Sequence, residues 1–301
     1  MKQRIAIAGN GAWGQALAHV ARSAGHEVGI WSRQKPLPAD LFRCDAIIVA
    51  VPAQAVREAL TVISPPPQIP LIISAKGIEQ HSAKFMNEVV AEVVPGAKVL
   101  VLSGPSFARD VLKGLPTAVT LAAPSLADAG EWAGLLTLPM FRVYGSDDVL
   151  GVEIGGALKN VLAIACGISD GRGLGDSARA ALTTRGFAEL MRFGKKLGAK
   201  PETLTGLSGL GDLLLTCSSR QSRNYSFGLA VGQGATVSAA LAASRGVVEG
   251  ASTAQVGHEL AKLNDVDMPI VAAVAAIVHQ GADPAREIAR LLARPVREEI
   301  R

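Results

Sequence analysis

One lysine, Lys159, lies inside the least polar long stretch of the sequence, from Val149 to Ile168. Moving an unpaired ammonium group into apolar surroundings is costly, so such a lysine must be paired with an acid or have a function. Burial also lowers the pKa of a lysine toward the range in which it exchanges protons. The sequence therefore predicts a general acid/base at Lys159 and leaves an ordinary buried ion pair as the alternative.

Acidic, hydroxyl and cationic side chains that could complete a site with this lysine follow later in the chain. Asp212 ends a Gly-Leu-Gly-Asp segment, and Thr216 follows four residues later. In the segment formed by Ser222, Arg223 and Asn224, the arginine is suited to bidentate recognition of a phosphate, assisted by the amides of a helix that begins at Asn224. We expect a lysine–carboxylate pair beside a phosphate site, although each residue on its own could be a surface helix cap.

A second lysine, Lys76, follows a short apolar strand in the segment Ser74–Gly77. In an open α/β sheet, ligands bind beyond the carboxyl ends of the strands. Val51-Pro52 and Ser103–Ala108 follow the ends of two other predicted strands and belong to the same edge. Lys76 is therefore placed to hold a phosphate or polarise a carbonyl, with a surface lysine that caps a helix as the equal alternative.

The glycines Gly9, Gly11 and Gly14 directly follow an apolar strand at the start of the chain. The first permits a tight turn, the second lets a pyrophosphate approach the backbone, and the third lets a helix pack close to the strand. A helix that begins near Ala12 and ends at Gly25 would point its free N–H groups at the phosphates. This order of elements predicts a dinucleotide cofactor rather than a merely structural glycine turn.

The second predicted strand ends in Ile-Trp-Ser-Arg, with Arg33 last and no acidic residue. A carboxylate at this position normally binds the ribose hydroxyls of NAD and repels a 2′-phosphate. A planar guanidinium can instead pair with the phosphate and stack on adenine. We therefore predict that NADPH is used at least as well as NADH, with a solvent-facing Arg33 as the alternative.

Short apolar strands alternate with helical stretches in the first half of the chain, which indicates βαβ units. After about Gly145 the apolar residues recur with a helical period. We predict an α/β fold, with a Rossmann domain over residues 1–147 that contains a mainly parallel sheet, and an all-α domain over residues 148–301. The predicted strands are Arg4–Ala8, Glu27–Trp31, Ala46–Val51, Pro70–Ser74, Lys98–Leu102, Thr117–Ala122 and Phe141–Tyr144. The predicted helices of the second half are Val149–Ile168, Ser177–Leu197, Thr253–Leu263, Pro269–His279 and Asp283–Leu292.

The composition of the 301 residues excludes several classes of function. Net charge is only +4, and no run of Lys and Arg alternates with aromatic residues, which argues against a nucleic-acid partner. The three cysteines lack the spacing of a metal site or a disulfide framework, which is typical of a reducing compartment. The late apolar run Pro269–Val278 is too short to span a bilayer. We expect a cytoplasmic homodimer with no metal and no membrane span.

Six motifs, in the same order and over nearly the whole chain, resemble those of the bacterial NAD(P)-dependent glycerol-3-phosphate dehydrogenases. The phrases Leu-Ser-Gly-Pro-Ser-Phe-Ala and Gly-Ala-Leu-Lys-Asn-Val are specific to that resemblance. It implies reversible hydride transfer between NAD(P)H and dihydroxyacetone phosphate, which gives sn-glycerol 3-phosphate for glycerophospholipid synthesis. The six motifs are Gly9–Gly14, Ser74–Gly77, Ser103–Ala108, Gly155–Asn160, Gly209–Asp212 and Ser222–Asn224.

The resemblance also implies roles for individual residues. Lys159 is expected to accept the proton when the alcohol is oxidised. The expected substrate contacts are Lys76, Gly104, Ser106, Lys159, Asp212, Ser222, Arg223 and Asn224. The expected cofactor contacts are Gly9, Gly11, Ala12, Trp13, Gly14, Arg33, Lys76, Ala108, Arg223, Val247 and Glu249. NADPH is the expected cofactor, with NADH as a second one.

The sequence departs from that family between its second and third predicted strands. Only Ser32 to Asp45 connect Trp31 with Ala46, where the family has a further helix and strand. We therefore expect that the sheet has lost one βα unit and that the adenine side of the cofactor site is reduced. Two alternative functions remain: another reductase of this build, acting on a hydroxy acid or ketopantoate, and a protein that binds NADPH without catalysis.

Overall fold

A seven-stranded sheet forms the first half of the computed structural model, which describes residues 2–34 and 41–295. The strands are β1 (Arg4–Ala8), β2 (Glu27–Trp31), β3 (Ala46–Val49), β4 (Leu71–Ile73), β5 (Val99–Ser103), β6 (Thr117–Ala122) and β7 (Phe141–Ser146). They lie in the order β2-β1-β3-β4-β5-β6-β7, and all neighbours are parallel except β5 and β6. Ile7 lies opposite Ile30 on one side and Ile48 on the other. The prediction of a mainly parallel sheet is confirmed.

Five helices cover the two faces of this sheet. They are α1 (Ala12–Ser23), α2 (Val56–Ile63), α3 (Met86–Val93), α4 (Ala108–Leu112) and α5 (Leu126–Leu136). Ile5 and Ile7 pack with α1 and α5 on one face, whereas Ala6 and Ala8 pack with α2 and α3 on the other. Alternate residues of each strand therefore enter different cores, which is why the central strands are apolar throughout.

All seven predicted strands are present, and where their ends differ from the prediction they do so by one or two residues. β3 ends at Val49 rather than at Val51, because Pro52 has no N–H group for the sheet and the chain turns into a short 3₁₀ helix at Ala53–Ala55. β6 and β7 are parallel to each other and run opposite to the other five strands. The connection over residues 104–116 contains only the five-residue α4, whereas a crossover to a parallel neighbour usually carries a full helix.

β2 is the edge strand of the sheet beside β1. No residue of the connection from Ser32 to Asp45 that the structure describes, 32–34 and 41–45, belongs to a helix or strand. Residues 35–40 of the predicted short connection lie outside the described residues. The described sheet thus has no strand beyond β2, where the doubly wound order 3-2-1-4-5-6 places its third strand.

The described elements after β7 are all helical, as predicted. They are α6 (Val149–Gly171), α7 (Asp176–Leu197), α8 (Pro201–Thr205), a π-helical turn (Leu207–Gly211), α9 (Asp212–Cys217), α10 (Arg223–Gly232), α11 (Val237–Ala242), α12 (Glu249–Leu263), α13 (Pro269–Gln280) and α14 (Pro284–Leu292). The predicted long helix thus extends to Gly171, three residues further than expected. The predicted start at Thr253 is also wrong, because the helix already begins at Glu249.

α6 is the core of the helical half. It is long and apolar enough to cross a membrane by length and composition, but it is buried inside the protein almost throughout, as expected of a core helix. Its N-terminus is capped by Asp148, whose carboxylate accepts a hydrogen bond from the Gly151 amide at 2.8 Å. A Cβ at Gly167 would lie 2.1 Å from the Tyr225 carbonyl oxygen, so this glycine permits the close crossing of α6 and α10.

A buried carboxyl on α6, that of Glu153, makes the fold sensitive to pH. One of its oxygens accepts a hydrogen bond from the Asn87 amide at 2.8 Å, and the other has no partner among the described residues. Burial raises the pKa of Glu153 to about 8. A carboxyl whose pKa is higher in the folded than in the unfolded chain stabilises the fold at low pH and loses that contribution as pH rises through the folded-state value.

We predict that the free energy of unfolding falls between pH 5 and pH 8, and that Glu153→Gln reduces this fall by roughly 1–4 kcal/mol because the amide does not ionise. Denaturant unfolding at the two pH values measures the effect. Glu131→Gln, which removes an exposed carboxylate from α5, is the control and should leave the fall unchanged. An equal fall in the parent and in Glu153→Gln would contradict the assignment.

Candidate active site

The glycine turn after β1 forms a cradle that is open at one position only. A Cβ at Gly9 would lie 2.4 Å from the Ala50 carbonyl oxygen, and one at Gly14 would lie 2.0 Å from the Gly9 carbonyl oxygen. Gly9 also has a φ of +128°, which favours glycine. A Cβ at Gly11 would meet nothing within 4 Å. The first and third glycines are therefore needed for packing, whereas Gly11 leaves room for a ligand.

The N-terminus of α1 faces this open position. Gly11 caps the helix without a side-chain hydrogen bond, and the first turn contains no acidic residue. The N–H groups of Ala12 and its neighbours therefore remain available to an anion, with the positive end of the helix dipole behind them. The indole nitrogen of Trp13 is buried and has no partner among the described residues. These features fit the pyrophosphate of a dinucleotide cofactor.

Asp212 joins two lysines from different elements at the carboxyl edge of the sheet. Its Oδ1 accepts a hydrogen bond from Lys159 Nζ at 2.8 Å, and its Oδ2 accepts one from Lys76 Nζ at 2.7 Å. The side chains of Asp212, Lys159 and Lys76 are 1%, 8% and 15% exposed. We refer to these three residues as the lysine–aspartate triad. The predicted pair of Lys159 and a carboxylate is thus present, with Lys76 as a second partner.

Each ammonium group of the triad keeps one N–H group free of protein partners within the described part of the chain. Lys159 donates to Asp212 and to Thr216 Oγ1, the second at 2.9 Å, and Lys76 donates to Asp212 and to the Gly104 carbonyl oxygen, the second at 2.8 Å. An ammonium group has three donors. Both lysines can therefore donate one further hydrogen bond to a bound substrate.

The surroundings lower the pKa values of both Lys159 and Asp212, for different physical reasons. Burial lowers the pKa of Lys159 to about 8, helped by the charge of Lys76 and opposed by Asp212. Burial alone would raise the pKa of Asp212, but Lys159 and Lys76 outweigh it and hold that pKa below its usual value. Asp212 thus stays ionised near neutral pH, while Lys159 can give up or take up a proton there.

A chain of side-chain amides fixes the loops around the triad. Asn160 Nδ2 donates to the Lys76 carbonyl oxygen at 3.1 Å, and Asn224 Nδ2 donates to Asn160 Oδ1 at 2.8 Å. Asn224 Oδ1 accepts a hydrogen bond from the Gly250 amide at 2.9 Å. Asn160 has no role among the sequence predictions, although an amide next to Lys159 in an apolar helix must find partners.

The predicted phosphate segment lies at the start of α10. Ser222 Oγ accepts a hydrogen bond from the Tyr225 amide at 3.2 Å and caps the helix, which begins at Arg223 rather than at Asn224. The guanidinium of Arg223 is exposed and makes no hydrogen bond or ion pair with a described residue, and its charge acts on the carboxyl of Glu249. A Cβ at Gly246 would lie 2.7 Å from Arg223 Nη1, so this glycine lets the arginine extend past the loop. Arg223 is therefore free to bind an anion.

The other predicted residues lie around the triad and the glycine turn. Ser106 Oγ donates to the Gly104 carbonyl oxygen at 3.1 Å, which places it next to Lys76. One oxygen of Glu249 accepts a hydrogen bond from the Ala53 amide at 3.1 Å, and the other is buried without a partner among the described residues. Arg33 and Val247 are exposed and Ala108 is half-buried, and none of the three forms a hydrogen bond to the triad.

One buried hydroxyl near Glu249 was missed by the sequence analysis. Thr253 is fully buried on α12, and its Oγ1 has no partner among the described residues. A Cβ at Gly77 would lie 3.4 Å from Thr253 Oγ1 and 3.3 Å from the free Glu249 oxygen. A threonine in a helix gives no sequence signal of this kind, because the arrangement depends on how α12 packs against the Lys76 loop. Within the described ranges, His, Cys, Asp and Glu form no group of three or more that could hold a metal ion.

Comparison with known proteins identifies both halves of the chain. Residues 148–289 match the family model of the NAD-dependent glycerol-3-phosphate dehydrogenase C-terminus, and residues 4–43 and 37–129 match the model of the N-terminus. The two N-terminal pieces meet within the connection from β2 to β3. This division agrees with the loss of a βα unit at that point.

Relatives match the chain over almost its full length. It is 47% identical to a glycerol-3-phosphate dehydrogenase (NAD(P)+) of Erythrobacter litoralis, over 99% of this chain and 98% of the relative. It is 51% identical to the protein of the same description from Methylobacterium radiotolerans, over 98% of each.

A solved structure shares the fold as well as the sequence. The crystal structure of a glycerol-3-phosphate dehydrogenase from Coxiella burnetii is 38% identical and covers 97% of this chain and 99% of its own, with a TM-score of 0.91. The matches therefore extend over the glycine turn, the triad and the start of α10. The chain belongs to the NAD-dependent glycerol-3-phosphate dehydrogenase family.

Proposed function

We propose that this protein catalyses the reversible NAD(P)H-dependent reduction of dihydroxyacetone phosphate to sn-glycerol 3-phosphate, a building block of glycerophospholipids. The observation that carries the proposal is the lysine–aspartate triad, in which one buried carboxylate holds two lysines with one free donor each. A ketone oxygen that becomes an alkoxide needs such donors, and it needs a proton from one of them. The names of the relatives supply the substrate class.

Lys159 is the proposed proton donor in reduction and proton acceptor in oxidation. When bound, the nicotinamide cofactor supplies the hydride. Lys159 Nζ then transfers its proton to the substrate oxygen, which its lowered pKa permits near neutral pH. Asp212 stabilises the ammonium form before the transfer, and together with Thr216 it fixes the direction of the one remaining N–H group. Lys76 donates to the same region and stabilises the negative charge as it develops.

The phosphate of the substrate is proposed to bind at the start of α10. Arg223 supplies an exposed charge that makes no hydrogen bond or ion pair with a described residue, and the amides of the first turn of this ten-residue helix add hydrogen bonds. Ser222 and Asn224 are the neighbouring polar side chains. Substrate contacts at Gly104 and Ser106 complete the proposed set, since both lie beside Lys76.

For the cofactor, the glycine turn with Ala12 and Trp13 is proposed to hold the pyrophosphate side. Arg33 is proposed to bind the 2′-phosphate of NADPH, since it is exposed at the end of β2 and has no partner among the described residues. Near the triad, Ala108, Arg223, Val247 and Glu249 are proposed to line the nicotinamide side together with Lys76.

The same proposal includes two domains, at residues 1–147 and 148–301, a homodimeric state and a cytoplasmic location without nucleic-acid partners. The start of α6 at Val149 supports the division of the chain. Cys44, Cys166 and Cys217 are free thiols, which suits a reducing compartment. Sedimentation analysis measures the oligomeric state.

A substrate panel tests the proposed activity. NADPH absorbance is followed with dihydroxyacetone phosphate, with dihydroxyacetone, which lacks the phosphate, and with ketopantoate. We expect turnover with the first and at least a hundredfold lower kcat/KM with the other two. Preference for ketopantoate would favour the alternative reductase, and NADPH binding without turnover on any of the three would favour the protein without catalysis.

We predict that Lys159→Ala lowers turnover by about 10² to 10⁴ and leaves NADPH binding nearly intact, because a general acid/base is lost while the glycine turn is unchanged. Steady-state kinetics and cofactor titration measure the two effects. Lys200→Ala, at a lysine that pairs with Asp147 on the surface, is the control. Turnover of Lys159→Ala within about tenfold of the parent would contradict the role of Lys159 as general acid/base.

We predict that kcat/KM for oxidation of glycerol 3-phosphate rises with pH and levels off above about 8, because only the neutral Lys159 amine accepts a proton. In Asp212→Asn the rise should move to lower pH, since the carboxylate that favours the ammonium form is gone. Asp170→Asn, at an acid on α6 that pairs with Arg179, should leave the profile in place. If Asp212→Asn does not move the pH profile of kcat/KM, Lys159 is not the group that titrates in it.

We predict that Arg223→Ala raises the KM for dihydroxyacetone phosphate roughly tenfold or more, through loss of a charge-assisted contact to the phosphate. Initial-rate kinetics at saturating NADPH measure this constant. Arg220→Ala removes an exposed arginine from the preceding loop and should have little effect. Unchanged constants for both substrate and cofactor would remove Arg223 from the site.

We predict that the parent uses NADPH at least as well as NADH and that Arg33→Ala lowers kcat/KM for NADPH roughly tenfold more than for NADH. Removing the guanidinium affects only the cofactor with a 2′-phosphate charge. Arg43→Ala, in the same connection, is the control. A strong preference of the parent for NADH would contradict the prediction. An unchanged ratio of kcat/KM for NADPH to kcat/KM for NADH in Arg33→Ala would show that another cation binds the 2′-phosphate.

A further inference from the structure

A long apolar trough in the helical half of the protein has no part in the proposed reaction. It has a volume of about 1750 Å³, and none of its lining residues belongs to the triad, the glycine turn or the phosphate segment. Ala165 and Ile168 of α6 lie at its base, and α7, α13 and α14 supply its walls. We call it the α7 trough. Its lining is mainly apolar, as in sites for hydrocarbon ligands.

Cationic side chains of α7 line the trough on one wall. Arg185, Arg192 and Lys195 are spaced by seven and three residues, so they lie along one side of the helix. Arg185 and Lys195 have no hydrogen bond or ion pair from their side chains to any described residue. Arg192 donates only to a backbone oxygen, that of Asp267, at 2.9 Å. This wall therefore carries positive charge that the described protein does not neutralise.

The acidic residues of the trough are already engaged. Glu189 accepts hydrogen bonds from the amides of Ile270 and Val271 at 2.7 and 3.2 Å, and so caps α13. Asp267 pairs with Arg294 at 2.5 Å. Glu287 has an ion pair with Arg290 at 3.6 Å. The trough as a whole is therefore complementary to an apolar molecule with negative charge.

We propose that the α7 trough binds one long-chain amphiphile with a single anionic head group. The hydrocarbon chain lies on α6 between α7 and α13, and Lys195 or Arg185 pairs with the head group. The 22 residues of α7 are about 33 Å long at 1.5 Å per residue. The two acyl layers of a bilayer core together measure about 30 Å, so the trough accommodates one acyl chain with room to spare.

Charge argues against a second copy of this chain as the occupant. A two-fold interface places the same patch of each copy against the other. Such an interface would bury Arg185 and Lys195 of both copies, and the carboxylates that line the trough are already engaged within their own copy. An anionic amphiphile instead supplies the missing negative charge and the apolar surface together.

The test uses cis-parinaric acid, a fluorescent fatty acid, and its uncharged methyl ester, each below the concentration at which it aggregates. We expect one molecule of the acid to bind per chain, about tenfold more tightly than the ester. Ala181→Trp, at an exposed position that lines the trough, should weaken binding of both probes about tenfold by filling the space. The double variant Arg185→Gln, Lys195→Gln should weaken the acid about tenfold and leave the ester unchanged.

Two matched controls separate the trough from general surface effects. Ala180→Trp and Lys196→Gln alter neighbouring exposed residues of α7 that do not line the trough, and both should bind the acid as the parent does. Far-UV circular dichroism and thermal unfolding confirm that each variant is folded. The readout is binding and not turnover, so the result is independent of the proposed function.

Three outcomes would overturn the proposal. The first is no saturable binding of the acid, and the second is equal binding of the acid to the parent and to all variants. The third combines two results: the probe does not bind, and sedimentation shows that the parent is a dimer and that Ala181→Trp is a monomer. This outcome would assign the trough to a second copy of the chain.

Discussion

The site depends on one buried carboxylate, that of Asp212, which holds two ammonium groups in place. Burying three charges is costly, and their mutual attraction offsets the cost only when the geometry is good. Here each oxygen of Asp212 accepts one lysine hydrogen bond, at 2.8 and 2.7 Å. Removing the carboxylate would leave two like charges facing each other across a dry site. Lys159 and Lys76 therefore share one acid, and each has a second acceptor, Thr216 for Lys159 and the Gly104 carbonyl for Lys76.

Close packing of the backbone is what brings the three groups of the triad together. Lys159 comes from the middle of α6, Lys76 from the loop after β4, and Asp212 from the start of α9. A Cβ at Gly156 would lie 2.7 Å from Ser103 Oγ, and one at Gly155 would lie 2.6 Å from the Ser208 carbonyl oxygen. These two glycines let α6 approach both the sheet edge and the segment before α9. The apolar residues of α6 make Lys159 stand out in the sequence. The same small and apolar residues allow the close packing that brings the triad together.

The sequence predicted the parts of the site that rest on local rules. A glycine turn between a strand and a helix has few structural alternatives, and a lysine in an apolar helix requires a partner. The seven strands followed from the same local patterns, and so did the helical second half. The reversed direction of β6 and β7 could not be predicted, because it depends on how the short connection over residues 104–116 packs. The amide chain through Asn160 and Asn224 was also missed, since it joins residues that are 64 positions apart in the sequence.

The central claim, that the folded protein holds Lys159 ready to exchange a proton near neutral pH, can be measured without catalysis. Lysines labelled with ¹³C at Cε are titrated by NMR, and the Lys159 signal is assigned by its absence from Lys159→Met. We expect this signal to titrate with a pKa of about 8, below the ordinary lysine value. Titration of Lys159 at or above the ordinary lysine value would contradict its role in proton exchange, because the triad would then be an ion pair that does not release its proton.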